Sequence, residues 1–376
     1  MSNIRPGGSF NEFHNERYLP DSYANEYKDY LLNDGDLIIA MTDMATETKI
    51  LGLPTLVNNT SGRSFLLNQR VGKLCKFSKD IYVPYLRHIL TAQDVIDYYK
   101  TKGAGGLQIN ISKKDILSVK FPLPPLATQQ RIVAKLDAIF SEIDTATAAA
   151  EANADNAEAL FQSYVTEVFE SEKYDFKLVK FGTTASFVRG PFGGSLKKSI
   201  FVEKGYAVYE QQHAIYNQFS DIRYFIDETK FEEMKRFELK SGDLIMSCSG
   251  TMGKIAIVPE NVQQGVINQA LLKISPNKNV MGEYIARLLS SKYFQDILTK
   301  LSGGAAIQNV PAVSVLKDIE VPVPSIKNQK LIIDIIDILE SNKSIIKNSY
   351  KSKSKELASL KQSILQKTFS GELVKD

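Results

Sequence analysis

Two stretches of the chain carry side chains whose types and spacing could support catalysis. Ser249-Gly-Thr-Met-Gly-Lys254 resembles a turn in which glycine amides and a lysine hold a phosphate. A complete phosphate loop needs a glycine, four residues and then Gly-Lys-Ser/Thr, the length that wraps backbone amides around the anion. Here two residues separate the glycines and Ile255 follows the lysine, so a turn between strands is the expected reading. Pro20-Asp21 followed by Glu26-Tyr27-Lys28 has the carboxylates and lysine of a nuclease set. Such a trio of common residues arises readily by chance. Base methylation would call for a glycine-rich cofactor turn and an Asp/Asn-Pro-Pro-aromatic motif. The sequence has neither, because Pro124-Pro125 is followed by Leu126 at a helix entrance. No Ser/His/Asp or Cys/His arrangement stands out, and the three histidines are too scattered for a metal site.

What remains is the chemistry of recognition. Arg189, Ser195, Lys197 and Lys198 cluster in a Gly/Pro-rich loop, where amides and basic groups can hold phosphates or reach a base edge. Ser249, Thr251 and Lys254 occupy a polar turn after a strand, and Thr42, Thr46 and Lys49 occupy the corresponding loop earlier in the chain. Lys102 precedes Gly103 and Lys300 precedes Gly303 and Gly304 in matching glycine turns, followed by Gln108 and Gln308. Taken singly, each of these is an ordinary solvated loop residue.

The elements that must position these loops form a tandem repeat with a period of 200 residues. Leu67-Asn68-Gln69 returns as Ile267-Asn268-Gln269, a pair of copies expected to serve the fold. Arg87, Lys100 and Gly103 return as Arg287, Lys300 and Gly303, and Phe121-Pro-Leu-Pro124 returns as Val321-Pro-Val-Pro324. Gln129, Ile132 and Asp137 return as Gln329, Ile332 and Asp337. Upstream the register slips, and Gly35-Asp-Leu-Ile38 matches Gly242-Asp-Leu-Ile245 at an offset of 207. Each copy opens with short strand-like runs separated by Gly- and Asn-rich turns and closes with a long helix.

Pro122, Pro124 and Pro125 hold the chain extended before the first helix, and Thr128 can cap it. Ile132, Leu136, Ile139 and Ile143 then recur at four, three and four residues, and Ala157, Leu160, Tyr164 and Val168 resume the pattern. The second helix carries Ile332, Ile336 and Leu339, then Leu357, Leu360 and Ile364. That is coiled-coil spacing. The alanine-rich stretch from Thr145 to Ala159 favours helix and lets another helix approach closely. From Thr128 to Glu172 nine acids face two bases, whereas from Pro324 to Glu372 nine bases face five acids. An acidic and a basic helix with matching apolar seams are natural partners. The remaining segments keep a moderate basic excess within a chain of net charge +3.

The composition, 43% hydrophobic and 24% charged, is that of a globular protein of more than one domain. Leu331 to Leu339, the longest apolar stretch, is broken by Asp334 and Asp337, far short of a membrane span. The sequence after Met1 lacks the apolar core of a signal peptide. Two cysteines, Cys75 and Cys248, offer no disulfide framework and point to a reducing cytoplasm.

In its doubled Gly-Asp-Leu-Ile, the chain resembles the specificity subunit of type I restriction–modification enzymes. Three further signatures carry the same resemblance: Phe121-Pro-Leu-Pro-Pro-Leu-Ala-Thr-Gln-Gln-Arg131, Arg189-Gly-Pro-Phe-Gly-Gly-Ser-Leu-Lys197 and Leu360-Lys-Gln-Ser-Ile-Leu-Gln-Lys-Thr-Phe-Ser-Gly-Glu-Leu373. It covers nearly the whole chain. It implies an α+β fold, two tandem target-recognition domains of mixed α/β structure with small sheets, separated by two long helices in an antiparallel coiled coil. The expected segments are residues 1–125, a spacer helix at 126–175, residues 176–323 and a second spacer helix at 324–376. It also implies a non-catalytic subunit of a prokaryotic cytoplasmic complex that reads a bipartite double-stranded DNA target. Two methyltransferase subunits would dock on the helices, S-adenosylmethionine would bind to them rather than to this chain, and a restriction and translocation subunit would join through the complex. One departure stands out: about thirty residues that normally open the first domain have no counterpart before Asn11, which reads as a truncated or recombined allele or a displaced start. The competing readings are a self-contained nuclease or methylase and a coiled-coil scaffold that binds only proteins.

Overall fold

The Gly-Asp-Leu-Ile pair shows how the sequence sets up its sheets. Gly35 and Gly242 take left-handed φ values of +78° and +82°, a conformation that favours glycine. The aspartate that follows accepts the N–H three residues back, from Asn33 to Asp36 at 2.7 Å and from Lys240 to Asp243 at 2.9 Å. The closed turn launches Leu37–Ala40 and Leu244–Ser247, in which every residue is buried. These are the central strands of the two sheets.

The computed structural model describes residues 1–192, 194–301 and 310–370. Gly303, Gly304, Gln308 and Leu373 lie outside the described residues. The chain forms two compact units, Met1–Ala152 with Tyr350–Asp376, and Asn153–Ser349. Both long helices, Leu126–Glu170 and Ile326–Phe369, are therefore divided between the units.

In the second unit an antiparallel sheet runs in the order Ala185–Arg189, Leu271–Pro276, Leu244–Ser247, Ile255–Ile257. Lys177–Lys180 pairs antiparallel with Glu320–Val323, and Tyr206–Tyr209 pairs in parallel with Gly265–Ile267. In the first unit the sheet is Pro54–Leu56, Leu37–Ala40, Val71–Leu74. Smaller pairs join Leu31–Leu32 to Phe65–Leu66 and Thr42–Met44 to Gln108–Asn110. A helical hairpin follows each sheet: Val83–Thr91 with Gln93–Lys102, and Gly282–Ser290 with Lys292–Leu301. Fold class and helix pair are as expected from the sequence.

The joint between hairpin and long helix is the same in both units. Gln129, fully buried, accepts the N–H of Tyr82 at 2.9 Å and donates to the carbonyls of Asp80 and Pro124, each at 2.7 Å. Gln329, equally buried, accepts from Met281 N at 2.8 Å and donates to Asn279 O at 3.1 Å and Pro324 O at 2.9 Å. The Tyr85 and Tyr284 hydroxyls donate to the carbonyls of Pro122 and Pro322. Asn68 and Asn268 each accept a backbone N–H two residues on at 3.0 Å, so both copies serve the fold.

Within each unit the two helices run antiparallel. In the first, Lys361 reaches Asp144 at 2.9 Å and lies over the Phe140 ring at 4.8 Å, while Leu365 packs with Ile132 and Leu136. In the second, Glu158 meets Lys343 at 3.6 Å and Lys347 at 3.4 Å, and Ile336 packs in one core with Val165. Acids of the first helix thus meet lysines of the second.

Several expectations are corrected. The first helix begins at Leu126, so Thr128 lies in its first turn, with its N–H on Pro125 O, and does not cap it. Ile139, Leu160 and Leu360 are 39%, 55% and 48% exposed, not seam residues. The inward positions are their neighbours Phe140, Phe161 and Lys361 and, further along, Val165 and Leu365. Leu339, Leu357 and Ile364 are half-buried. Arg287 does not correspond in space to Arg87: it binds Asp337 at 2.5 Å, as His88 binds Asp137 at 2.9 Å. The register slips by one residue through the helical hairpin.

Candidate nucleic-acid interface

In the second unit two loops leave the sheet at one end, because Arg189 and Met246 both lie opposite Leu272. Gly190 donates to Leu271 O at 2.9 Å, and a Cβ there would lie 1.8 Å from Asn268 O, so only glycine lets the chain turn away. Beyond it stand Phe192, 94% exposed, then half-buried Ser195 and exposed Lys197 and Lys198. Arg189 is half-buried near Cys248. Burial pushes the Cys248 thiol up to about 12, with the Arg189 guanidinium acting against it, so that thiol stays protonated and unreactive.

Ser249 to Lys254 is a turn between paired strands. The Ser247 hydroxyl donates to Thr251 O at 2.6 Å and accepts from Lys254 N at 3.0 Å, with Gly250 and Gly253 at φ +64° and +75°. The amides of Met252, Gly253 and Lys254 are bonded within the turn, to Gly250 O, Ser247 O and Ser247 Oγ, and are not turned toward an anion. Thr251 and Lys254 point to solvent, whereas half-buried Ser249 is already bonded: Gln211 donates to its carbonyl at 2.5 Å and accepts from its hydroxyl at 3.3 Å. Cys248 O accepts from Val310 N at 3.0 Å, which brings the chain after the glycine turn to the same edge. Lys300 is exposed at the end of its helix.

The first unit assembles its loops differently. Asp43 is buried, and one carboxylate oxygen accepts the N–H groups of Lys49, Ile50 and Leu51 at 2.6, 2.5 and 3.1 Å. That clamp shapes the loop carrying Thr46 and Lys49, both exposed. Ala45 N donates to Leu107 O at 3.0 Å, so this loop meets the glycine turn, with Gln108 opposite Met44 and Lys102 exposed close by. Lys49 pairs with exposed Glu47 at 3.0 Å, so it is not a free cation. Thr42 is corrected: it is 5% exposed and donates to Asn110 Oδ1 at 2.7 Å, a sheet residue with nothing to offer a ligand. Asp21 and Glu26 stand at opposite ends of the helix Ser22–Glu26. Among the described residues no group of three or more His, Cys, Asp or Glu could hold a metal ion. No helix among them is long and apolar enough to cross a membrane.

Sequence reasoning missed Gln211, Phe192 and Asp43. Only Phe192 had a signal, as the one aromatic residue inside the basic glycine loop from Arg189 to Lys197.

The family model for the type I restriction modification DNA specificity domain matches residues 3–152 and 192–353. The chain is similar to the type I restriction enzyme MjaVIII specificity subunit of Methanocaldococcus jannaschii, 24% identical over 335 residues, covering 83% of this chain and 75% of that protein. It is also similar to the EcoBI specificity subunit of Escherichia coli, 25% identical over 336 residues, 82% of this chain and 69% of that one. Two solved structures share the fold. One comes from work on complex assembly and conformational transition of the type I R-M system, with TM-score 0.70 at 19% identity over 91% of this chain and 83% of that one. The other is the HsdS subunit from Thermoanaerobacter tengcongensis, with TM-score 0.55 at 19% identity over 91% and 82%.

Proposed function

This chain belongs to the type I restriction modification DNA specificity family, and on that premise we propose that its two units each read one half of a bipartite double-stranded DNA target. Its role is DNA sequence specificity within a restriction–modification complex, and the subunit is non-catalytic. The observation that carries the two-part reading is the duplicated joint at Gln129 and Gln329. It accompanies one pair of loops that follow equivalent central strands, Thr42 to Lys49 after Leu37–Ala40 and Ser249 to Lys254 after Leu244–Ser247, and these differ in sequence and in bonding. Among the described residues the Arg189 loop belongs to the second unit alone. A shared frame with unlike loops suits a protein that reads two different short blocks.

In this reading Arg189, Lys197, Lys198, Thr251 and Lys254 meet DNA in the second unit, with Thr46, Lys49, Gln108 and Lys102 in the first. Phosphate contacts fix position and base-edge contacts fix sequence. Two methyltransferase subunits dock along the helices, one for each repeat, and supply the S-adenosylmethionine; the restriction subunit joins through them, in the cytoplasm. Support comes from two grooves at repeat-equivalent places. One is lined by Gln162, Ser163 and Thr166, the other by Gln362, Ser363 and Gln366.

The test is methylome sequencing of cells that express the chain with its methyltransferase. One helical turn inserted between Ala148 and Ala154 should lengthen the unread spacer and keep both specific blocks, as half-site spacing follows dimer geometry elsewhere. A continuous target, or an insertion that rewrites the specific bases, would falsify the two-unit reading. A protein-only scaffold would show no salt-dependent gel shift with its methyltransferase present.

A further inference from the structure

Phe192 is 94% exposed, more than any other large apolar side chain among the described residues. A lone exposed apolar residue is ordinary on a protein surface. This one stands out because the chain on both sides of it is tied down. Before it, Gly190 donates to Leu271 O at 2.9 Å, and Pro191 is buried. After it, Ser195 N donates back to Phe192 O at 2.9 Å, and Leu196 packs on the core of Val208, Ile226 and Phe231. The backbone is fixed at both ends, so the ring is held in water and forgoes the burial that draws phenylalanine inward.

Cations stand on either side of the ring: Arg189 before it, Lys197 and Lys198 after it. Among the described residues none of the three is in an ion pair, whereas Lys180, Arg223 and Lys230 of the same unit each have a carboxylate within 3.0 Å. Leu107 of the first unit is the next most exposed, at 82%, and the cations around its turn are engaged. Lys49 pairs with Glu47, and Lys102 lies over the Tyr98 ring at 5.6 Å. Phe192 alone combines a rigidly presented apolar side chain with uncommitted positive charge on both flanks.

A DNA duplex offers a phenyl ring few apolar surfaces. Its grooves are walled by phosphate and sugar, and the thymine methyl is small. The large apolar surfaces are the faces of the base pairs, reached only where a step opens. We infer that Phe192 is a wedge that enters the base stack at one step in or beside the half-site of the second unit, while Arg189, Lys197 and Lys198 hold the DNA on either side of it. The inference rests on the second unit reading double-stranded DNA. It makes Phe192 a specificity-determining residue that bonds to no base. Pyrimidine–purine steps unstack most easily, so a step of that kind is favoured at its position.

The experiment uses the full chain in complex with its methyltransferase, at saturation on duplexes of the target defined by methylome sequencing. The duplexes carry 2-aminopurine, which brightens on unstacking, at successive positions through both half-sites. Fluorescence should rise at the methylated adenines, which are flipped for reaction, and at one further step, in one half-site only. Phe192→Ala should abolish that further rise, keep the adenine signals and weaken binding about tenfold. Phe192→Leu should keep part of the rise, and Leu107→Ala should leave it unchanged. Target binding with no rise beyond the adenines, a rise that survives Phe192→Ala, or a rise lost in Leu107→Ala would overturn the wedge. So would an affinity loss reproduced by replacing one thymine with uracil, since the ring would then be touching a methyl group. A complex that shifts no target duplex in a gel would overturn the DNA reading beneath the inference, an outcome seen apart from the fluorescence.

Discussion

Gln129 and Gln329 make the same three hydrogen bonds in their two units, whereas the loops those units display are held by unrelated means. In the first unit a buried carboxylate, Asp43, gathers three amides; in the second a serine hydroxyl, Ser247, bridges a tight turn and Gln211 ties down its flank. Repetition has kept the joints and released the loops. The joints carry backbone groups that must be paired when buried, which leaves little room for substitution. The loops need only some internal brace, and Asp43 and Ser247 supply it in different ways.

The sharpest way to break this comparison is at the helix seam of the first unit. Leu136 is 2% exposed, and Leu136→Asp buries an unpaired charge at a cost of several kcal/mol. Leu360→Asp, at a position 48% exposed, should change stability by about 0.5 kcal/mol or less. Urea unfolding of both variants checks the difference, and equal losses would restore Leu360 to the seam.

The joints come next. Gln129→Ala and Gln329→Ala each strand one buried N–H and two carbonyls, and each should cost about 2–4 kcal/mol. Amide exchange resolves which unit loosens. Each variant should act on its own unit, and an effect in the wrong unit would deny that the two joints are independent.

At the loops the expected effects are smaller and one-sided. Arg189→Ala should cost about 1–3 kcal/mol at a single base if it touches a base edge, with relaxed specificity there alone. Lys197→Ala should weaken all sequences alike and reduce the salt slope by about one if it touches phosphate. Methylome sequencing and gel shifts at two salt concentrations separate the cases. A change in the half-site read by the first unit would contradict the division of labour.

The smallest effect distinguishes His88 from Arg287, which bind equivalent aspartates. Burial holds the His88 imidazole below its usual value, with Asp137 pulling the other way. A lowered folded value means that the unfolded chain takes up protons first. The first unit should therefore keep its full stability above about pH 6.5, the ordinary histidine value, and lose some as pH falls below it. At the equivalent place the second unit has Arg287, which stays charged, so Arg287→Gln should leave the pH dependence of that unit unchanged. Unit-resolved amide exchange between pH 7.5 and 5.5 reads this, and His88→Gln should abolish the step.

Much of this was legible in the sequence, through repetition more than through pattern. Gly35-Asp36, Asn68 and Gln129 were marked by their second copies, and each copy makes the same bonds. The seam was misplaced where two apolar residues adjoin: Ile139-Phe140, Leu160-Phe161, Tyr164-Val165 and Ile364-Leu365. Either member satisfies four-three spacing, and only the partner helix decides which faces inward. The Arg287 match failed because a one-residue slip inside the hairpin returns to register before the strand that follows. Asp43 gave no signal, since a buried carboxylate that gathers amides across eight residues looks in sequence like any loop acid.

The division of both long helices between the units also sets an order of events during synthesis. The first unit is begun first, yet its core contains Leu365, which leaves the ribosome roughly two hundred residues after Ala152. The second unit has all its residues by Ser349 and can close sooner. At ordinary translation rates the apolar face of Leu136 and Phe140 is without its partner for on the order of ten seconds or more. The part of the protein made earliest is therefore the part most dependent on chaperones, and a premature stop near Tyr350 should leave a folded second half attached to an unfinished first.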